Sequence, residues 1–252
     1  MRIVKITFSP TGGTQKVADI LASELGQDIE KVNLLAQGFD GRKIRIGGND
    51  LALVAMPCFA GRCPQVAIER FKDIAGNGAP CVVVNVYGNR ALDDALLEMT
   101  DAATQAGFKV VAGVAAIAEH SIFRQFAADR PDQTDRKNLT TTAEKIRELL
   151  GSTSTSDPNI PGNRPYMKAT SLPLVPQAKH GCTSCGACAS SCPVEAIDPI
   201  TCKADKSRCI ACMRCISVCP TDARRINGLV TKAAGILMKK HFVTRKEVEL
   251  FL

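Results

Sequence analysis

Eight of the twelve cysteines lie in two copies of one short pattern. Residues 182–193 read CTSCGACASSCP and residues 209–220 read CIACMRCISVCP, so each copy is C-x₂-C-x₂-C-x₃-C-P, and the copies begin 27 residues apart. Three thiolates at intervals of three residues can wrap one iron–sulfur cubane, while the fourth, before proline, points away and completes the other. The spacing therefore predicts an internal duplication that binds two 4Fe–4S clusters.

The duplication assigns four thiolates to each cluster. The first set is Cys182, Cys185, Cys188 and Cys219, and the second set is Cys209, Cys212, Cys215 and Cys192. Pairs of CxxC also bind zinc, so two zinc sites are the alternative. Two intact copies of the twelve-residue pattern, each closing with Cys-Pro, favour the clusters.

The remaining four cysteines fit neither spacing. Cys81 lies in an apolar run and is expected in the core, because free cysteine packs as a small apolar residue. Cys202 falls between the two copies and is expected to bind no cluster. Cys58 and Cys63 flank a loop after another apolar run, where free thiols are the simpler interpretation and a redox role is the alternative.

A second candidate site is the stretch FSPTGGTQKVA at residues 8–18. Its hydroxyls, together with the free N–H groups at the start of a helix, can surround a phosphate, and its glycines let the backbone approach closely. Lys16 comes too late for a nucleoside triphosphate loop, and the dinucleotide pattern G-x-G-x-x-G is absent. The predicted phosphate-binding residues are Ser9, Pro10, Thr11, Gly12, Gly13 and Thr14.

Alternating apolar runs and helical patterns must position this loop. Near-continuous apolar runs at 2–8, 51–56, 81–87 and 109–118, with a weaker edge run at 28–34, predict a five-stranded parallel sheet covered by helices. Helical spacing follows at 17–25, 64–74, 92–103 and 139–150. Residues 1–151 are therefore predicted to form a doubly wound α/β domain whose ligand lies beyond the carboxyl ends of the strands, at loops 9–14, 57–63 and 87–91.

The rest of the chain divides into three segments. Residues 152–175 are rich in proline and lack an apolar period, which predicts a semi-extended linker, and residues 176–228 hold the cysteine repeat as a small α+β domain. Residues 229–252 have amphipathic spacing, and TRKE at 244–247 resembles a capping box, which predicts a helical tail. We expect this tail to dock on the first domain, with membrane contact as the alternative.

Three sets of residues resemble known families. Residues 9–14 resemble the phosphate loop of flavodoxins, and residues 176–228 closely resemble bacterial-type two-cluster ferredoxins. With the loops FAGRCP, VYGNRALDDAL and AEHSIF and with RPD at 130–132, most of the chain resembles a fusion family of anaerobic microbes in which a flavodoxin-like domain precedes a two-cluster ferredoxin domain. One departure is Phe59, where relatives often carry tyrosine.

The resemblance implies that FMN occupies the phosphate loop. Phe59 and Tyr87 would then stack on the isoalloxazine ring, with core packing as the alternative for each. Arg62 and Arg90 would oppose the anionic reduced flavin or meet a partner, with solvated surface charges as the alternative. His120 would transfer protons, with a helix cap or a loop hydrogen bond as the alternative. Gly61, Gly88 and Asn89 would supply tight turns and backbone donors to the ring edge, and Ala60 is the other ring-side residue implied.

These cofactors imply electron transfer between FMN and two clusters, which would link one-electron carriers to a one- or two-electron partner. The alternatives are an FMN-dependent reductase of a small substrate and a ferredoxin with an empty flavodoxin-like docking domain. The net charge is +7, and residues 179–252 carry 12 Lys and Arg against 6 Asp and Glu, which favours an acidic redox partner. No stacking aromatics are interleaved with this charge, so we expect no nucleic acid.

We expect a cytoplasmic protein. The cysteines are crowded rather than spread along a short secreted chain, and the sequence shows no signal-peptide pattern. The longest mostly apolar stretch, residues 110–118, is about half of the roughly 20 residues that a membrane helix needs. The oligomeric state is not predicted.

Overall fold

One six-stranded sheet organises most of the chain in the computed structural model, which describes residues 1–152, 156–170 and 174–252. The main sheet has the order β2-β1-β3-β4-β5-β8, and its first five members are parallel. The strands in chain order are β1 (Ile3–Thr7), β2 (Ile29–Asn33), β3 (Leu51–Pro57), β4 (Pro80–Tyr87), β5 (Lys109–Ile117), β6 (Gln177–Ala178), β7 (Arg224–Arg225) and β8 (Glu249–Phe251).

Helices cover both faces of the sheet. Helices α1 and α4 pack together on one face, and α2 and α3 on the other, so β1, β3, β4 and β5 are buried on both sides. The order 2-1-3-4-5 is the flavodoxin-like form of the doubly wound fold, as predicted. The helices are α1 (Gly13–Leu25), α2 (Gln65–Lys72), α3 (Ala95–Gln105), α4 (Gln133–Gly151), α5 (Ala187–Ser190), α6 (Arg214–Ser217) and α7 (Gly228–Met238).

Helix boundaries follow capping chemistry more closely than apolar spacing. Helix α4 begins six residues before the periodic pattern that starts at Leu139, because Asp132 and Asp135 cap its first turn reciprocally. Pro64, predicted at the first helical position, instead precedes α2 as its cap residue with ψ of 123°. These differences shift helix ends without changing the order of elements.

The carboxyl-terminal segment differs from the predicted helical tail. Helix α7 and a short 3₁₀ turn at Lys239–His241 account for its first part, but its end forms β8, which pairs antiparallel with the edge strand β5. Val248 and Leu250 pack against one core cluster and Phe251 against another, which is the alternation of a strand. The predicted five-stranded sheet therefore gains a sixth strand, and the expected docking on the first domain is confirmed.

Residues 156–170 of the linker and the cysteine region lie against this core, and the rest of the predicted linker falls largely outside the described residues. Two backbone amides of the linker, at Asn163 and Met167, donate to the carboxylate of Asp94, at 2.8 and 2.6 Å. Strands β6 and β7 form a separate two-stranded antiparallel sheet within the cysteine region. In the described ranges, none of the helices combines the length and apolar character needed to cross a bilayer.

Candidate cofactor site

The predicted phosphate loop connects β1 to α1, and its shape depends on the backbone conformation of its residues. Gly12 has φ of +92°, a left-handed conformation that side chains disfavour. The hydroxyl of Ser9 accepts the N–H of Gln15 at 2.8 Å, and Thr14 is buried whereas Thr11 is exposed. The first N–H groups of a helix have no partner within the helix, so the start of α1 can donate to an anion.

Three loops at the carboxyl ends of the strands meet at two adjoining cavities. The first cavity is lined by the phosphate loop through Pro10, Thr11, Gly13 and Thr14. The second has a volume of about 470 Å³, within the range of small-molecule sites. Both cavities share the lining residues Cys58, Phe59, Tyr87, Gly88, His120 and Ser121.

Most of the residues expected around FMN line these cavities. Ala60 and Arg90 contribute to the larger one in addition to the shared residues. Four residues of the predicted set are outside both linings: Ser9, Gly12, Gly61 and Asn89. The first two shape the phosphate loop, and Gly61 has φ of +87° in the turn that follows Phe59.

Asn89 binds the carboxyl-terminal segment instead of facing the cavity. Its Nδ2 donates to the carbonyls of Phe242 and Thr244 at 2.8 and 2.9 Å. Its Oδ1 accepts hydrogen bonds from the N–H of Lys246 at 2.9 Å and from Arg130 Nη1 at 3.3 Å. The side-chain amide is therefore committed to the tail. The backbone donor that Asn89 is expected to offer to the edge of a flavin ring stays a prediction, and its φ of +68° is that of a tight turn.

The arginines of these loops are paired with carboxylates. Arg62 donates from Nε and Nη2 to Glu98 at 2.9 and 2.6 Å, and its guanidinium lies 4.8 Å from the ring centroid of Tyr166. Arg90 lines the larger cavity and pairs with Asp93. Arg62 lines neither cavity, whereas Arg90 lines the larger one, so Arg90 is the arginine that could face a ligand there.

His120 is held neutral by its surroundings. Its Nδ1 accepts the backbone N–H groups of Ile122 and Phe123 at 3.1 and 3.2 Å, which leaves the proton on Nε2. Burial, with a smaller contribution from Arg90, lowers the pKa of His120 to about 4. The ring can donate one hydrogen bond into the cavity at pH 7 but carries no second proton.

Several cavity residues were missed by sequence reasoning. Ile210 and Ala211 come from the second cysteine repeat, and His241 and Phe242 come from the tail. Phe242 stacks on Phe126 with a centroid distance of 4.3 Å. No local signal points to these residues, because their place depends on how distant segments dock.

The two predicted cysteine sets line two separate cavities. One is lined by Cys182, Cys185, Cys188 and Cys219, and the other by Cys192, Cys209, Cys212 and Cys215. In residues 1–152, 156–170 and 174–252, no three His, Cys, Asp or Glu side chains converge as the ligands of one metal ion do. Each cysteine set thus surrounds a cavity and does not converge on the position of a single metal ion.

The sequence duplication is also a duplication of backbone conformation. Residues 27 apart share a left-handed φ: +53° and +51° at Ser184 and Ala211, and +75° and +62° at Gly186 and Met213. Helices α5 and α6 follow these turns at the same offset. Successive N–H groups in such turns form concave anion sites that also occur at iron–sulfur centres. Thiol donors around a cavity with these turns fit a 4Fe–4S cluster in each set.

Solvent exposure separates the two sets. Cys182 and Cys185 of the first set are exposed, whereas Cys212 and Cys215 of the second set are buried. Burial raises the pKa of the Cys212 thiol to about 12. Cys212 also lines the cavity that contains the phosphate loop, together with Thr11 and Tyr87. The second set is therefore adjacent to the candidate flavin site.

Direct hydrogen bonds fix this adjacency. Arg214 Nη1 and Ser217 Oγ, both in α6, donate to the carbonyl of Pro10 at 3.3 Å each. On the other side of the contact, Gln37 Nε2 donates to the carbonyl of Ala189 at 3.0 Å and Arg70 Nη2 to that of Pro193 at 2.8 Å. The phosphate loop and the second cysteine repeat are thus parts of one contact.

The other cysteines are free thiols in the structure. Cys81 is fully buried in β4, which confirms its expected place in the core. The thiols of Cys58 and Cys63 donate to different backbone carbonyls, and burial raises the pKa of Cys58 to about 12. Cys202 is buried and lines the cavity of the first set.

Comparisons with known proteins match both parts of the chain. The family model described as a 4Fe–4S binding domain matches residues 181–198 and 203–225. No curated protein sequence matches the chain. Among solved structures, a Streptococcus pneumoniae flavodoxin is 21% identical and covers 58% of this chain and 98% of its own, with a TM-score of 0.40. Flavodoxin 2 of Bacillus cereus is 15% identical, with coverage of 59% and 99% and a TM-score of 0.44.

Proposed function

We propose that this chain, in which a flavodoxin-like fold precedes a 4Fe–4S binding segment, transfers electrons between FMN and two 4Fe–4S clusters. The observation that carries the proposal is that Cys212 lines the same cavity as Thr11, Phe59 and Tyr87. When bound, the clusters supply one-electron chemistry and FMN supplies one- or two-electron chemistry. Adjacent binding sites suit transfer between them.

The protein's own residues would bind and orient FMN and would exclude water from its site. The start of α1 and the hydroxyls of the phosphate loop hold the phosphate, and Phe59 and Tyr87 offer flat apolar surfaces to the ring. His120 is a neutral imidazole near neutral pH, because its pKa is about 4, so it has no imidazolium proton to release and can offer only a hydrogen bond from Nε2. Phe242 and the tail close the cavity on the side away from the phosphate loop.

A phosphate-loop variant tests the proposal. Thr11→Val removes one hydroxyl and should weaken FMN binding about tenfold, the worth of one hydrogen bond to a charged group. Thr134→Val, at an exposed position of α4, is the matched control and should leave the affinity unchanged. Flavin fluorescence titration and iron analysis are the measurements. Unchanged FMN affinity would contradict phosphate binding by this loop. Iron lost together with flavin would contradict separate binding of the two cofactors by the two parts of the chain.

An acidic one-electron carrier is the proposed partner, and the first cysteine set is its docking face. Cys182 and Cys185 are exposed, the carbonyl of Lys179 accepts the N–H of Cys182, and exposed Lys203 follows a residue that lines the same cavity. Asp198 lies on the same side but accepts hydrogen bonds within its own turn. Positive charge there would steer an acidic protein.

Charge reversal tests this docking face. Reduction by an acidic ferredoxin should become slower with added salt and slower in Lys203→Glu, whereas Lys137→Glu on α4 should behave as the wild type. Stopped-flow absorbance gives the rate constants. Rates that ignore both salt and Lys203→Glu would exclude this face as the docking site.

A reductase is the second candidate function, because the larger cavity extends beyond the flavin loops to Met167, His241 and Phe242. A small acceptor could then approach the ring from that side. Steady turnover of quinones that is lost in His120→Ala while FMN stays bound would favour this function. Turnover that survives the substitution would exclude His120 from the reaction, and absence of steady turnover in the wild type would leave electron transfer as the better account.

A further inference from the structure

Arg224 is a buried cation with no carboxylate partner among the described residues. Its side chain is 2% exposed. Nη1 donates to the carbonyl of Cys202 at 2.7 Å and Nη2 to that of Pro176 at 3.1 Å, so neutral groups fix its position. Nε is buried without a partner. Burying a guanidinium costs several kcal/mol unless a negative charge compensates it, so the folded chain needs an anion beside this residue.

The position of Arg224 offers two candidate anions. The guanidinium lies between the cysteine sets and lines both of their cavities. Nη1 is 3.6 Å from Sγ of Cys188, a member of the first set. On the other side, the guanidinium lines the same cavity as Cys209, Cys212 and Cys215, which places the same charge beside the second set.

The internal repeat shows that this charge is an addition to the pattern. The residue 27 positions earlier, which the duplication makes equivalent to Arg224, is Ile197. Ile197 is buried as well, at 7% exposure, so the position is a core position in both repeats. An aliphatic side chain therefore satisfies the fold there, and packing alone does not explain an arginine.

We propose that Arg224 is a counter-charge shared by both cluster sites and that it raises the reduction potentials of both clusters. The proposal rests on the function proposed above, since it requires clusters in both cysteine sets. One-electron reduction adds one negative charge to a site, and a fixed buried cation at that distance stabilises the added charge. Because one guanidinium serves both sites, it also offsets the repulsion between two reduced clusters.

Substitutions at two neighbouring arginines test the proposal. Arg224→Met removes the charge and keeps an unbranched side chain, Arg224→Lys keeps the charge, and Arg225→Met removes an exposed charge of the same strand. The measurement is an anaerobic titration of the intact protein with dithionite as electron donor, followed by electron paramagnetic resonance. Iron and sulfide are quantified in each variant first.

Arg224→Met should lower the reduction potential of each cluster by at least about 59 mV. This shift corresponds to about a tenfold change in the equilibrium constant of a one-electron reduction. Arg224→Lys should retain most of the wild-type values, and Arg225→Met should match the wild type. If Arg224→Met fails to assemble clusters, the comparison of Arg224→Gln with Arg224→Lys replaces it.

Two outcomes would overturn the proposal. Wild-type potentials in cluster-containing Arg224→Met or Arg224→Gln would show that the charge of Arg224 does not affect the clusters. An equal shift in Arg225→Met would show that the shift comes from the net charge of the protein and not from the position of Arg224. A wild-type protein without iron would instead contradict the proposed function itself, so the two failures are distinguishable.

Discussion

At the scale of single residues, Gly12 carries the conformation of the phosphate loop. Its φ of +92° disfavours any other residue, although a Cβ there would meet no atom within 4 Å. Gly12→Ala should therefore destabilise the fold by about 1 kcal/mol through backbone strain alone, and should weaken FMN binding. Thermal unfolding followed by circular dichroism and flavin titration are the measurements.

Gly228→Ala is the matched control for this change. Gly228 begins α7, and a Cβ there also meets open space, but its backbone is not left-handed. We expect this variant to be as stable as the wild type or slightly more stable, because alanine favours helices. Equal losses in both variants would show that the loop conformation is not the cause.

The lowered pKa of His120 should make the folded protein less stable as the pH falls. Its pKa falls from 6.5 in the unfolded chain to about 4 in the folded one, so below pH 6.5 the unfolded chain binds a proton that the folded chain does not. Stability should be unaffected by His120 above about pH 7 and should fall by about 1 kcal/mol by about pH 5.5.

Urea unfolding at the two pH values tests this effect in the wild type, in His120→Asn and in His180→Gln. His120→Asn should remove this part of the pH dependence, whereas His180 is exposed and its substitution should preserve it. A pH dependence that is identical in all three proteins would assign it to other groups.

Residue patterns in the sequence indicated the chemistry of individual residues more fully than their three-dimensional contacts. The cysteine spacing assigned each thiol to the set that lines its cavity, because the pattern itself encodes the wrapping of a cluster. Asn89 was expected to supply a tight turn and a backbone donor at the flavin edge, and the sequence did not indicate that its side-chain amide binds the tail. Nothing within VYGNRALDDAL could reveal that contact, since its partners lie more than 150 residues away.

At the scale of elements, Asn89 should be the main tie between the tail and the domain. Asn89→Gly keeps the left-handed backbone accessible and removes three hydrogen bonds to the tail and one from Arg130, and the three should cost tail docking about 3 kcal/mol. The N–H of Lys246 should then exchange with solvent much faster, which native-state hydrogen exchange measures.

Asn138→Ala serves as the control for the tie. Its side chain makes one hydrogen bond to Glu247 at 3.1 Å, also reaching the tail but near solvent. We expect little change in exchange at Lys246 in this variant. Protection of Lys246 that survives Asn89→Gly would mean that other contacts hold the tail, such as the pairing of β8 with β5 and the ion pair of Arg245 with Asp132.

Elements with local signals were predictable, and those set by tertiary contacts were not. Near-continuous apolar runs predicted β1, β3, β4 and β5 to within about two residues, because burial on both faces leaves a strong pattern, and the weaker run at 28–34 predicted the edge strand β2. Strand β8 was missed because three residues carry little propensity, and TRKE resembles a helix start. Its strand conformation comes from pairing with β5, more than 130 residues earlier.

At the scale of the whole molecule, the contact between the two parts is built from side chains of both. Gln37 and Arg70 of the flavodoxin-like part and Arg214 of the cysteine region donate across it to backbone carbonyls. The linker is held along α3 by Asp94 and Asp101. These contacts place the second cysteine set beside the phosphate loop, an arrangement that composition and periodicity do not encode.

The central claim is that one chain holds FMN and two 4Fe–4S clusters in adjoining sites. Its most direct test is cofactor analysis of protein purified without oxygen and incubated with FMN, with flavin released by acid and iron and sulfide measured per chain. The account predicts about one FMN, about eight iron atoms and about eight sulfides. Zinc in place of iron and sulfide, or iron without any bound FMN, would contradict it.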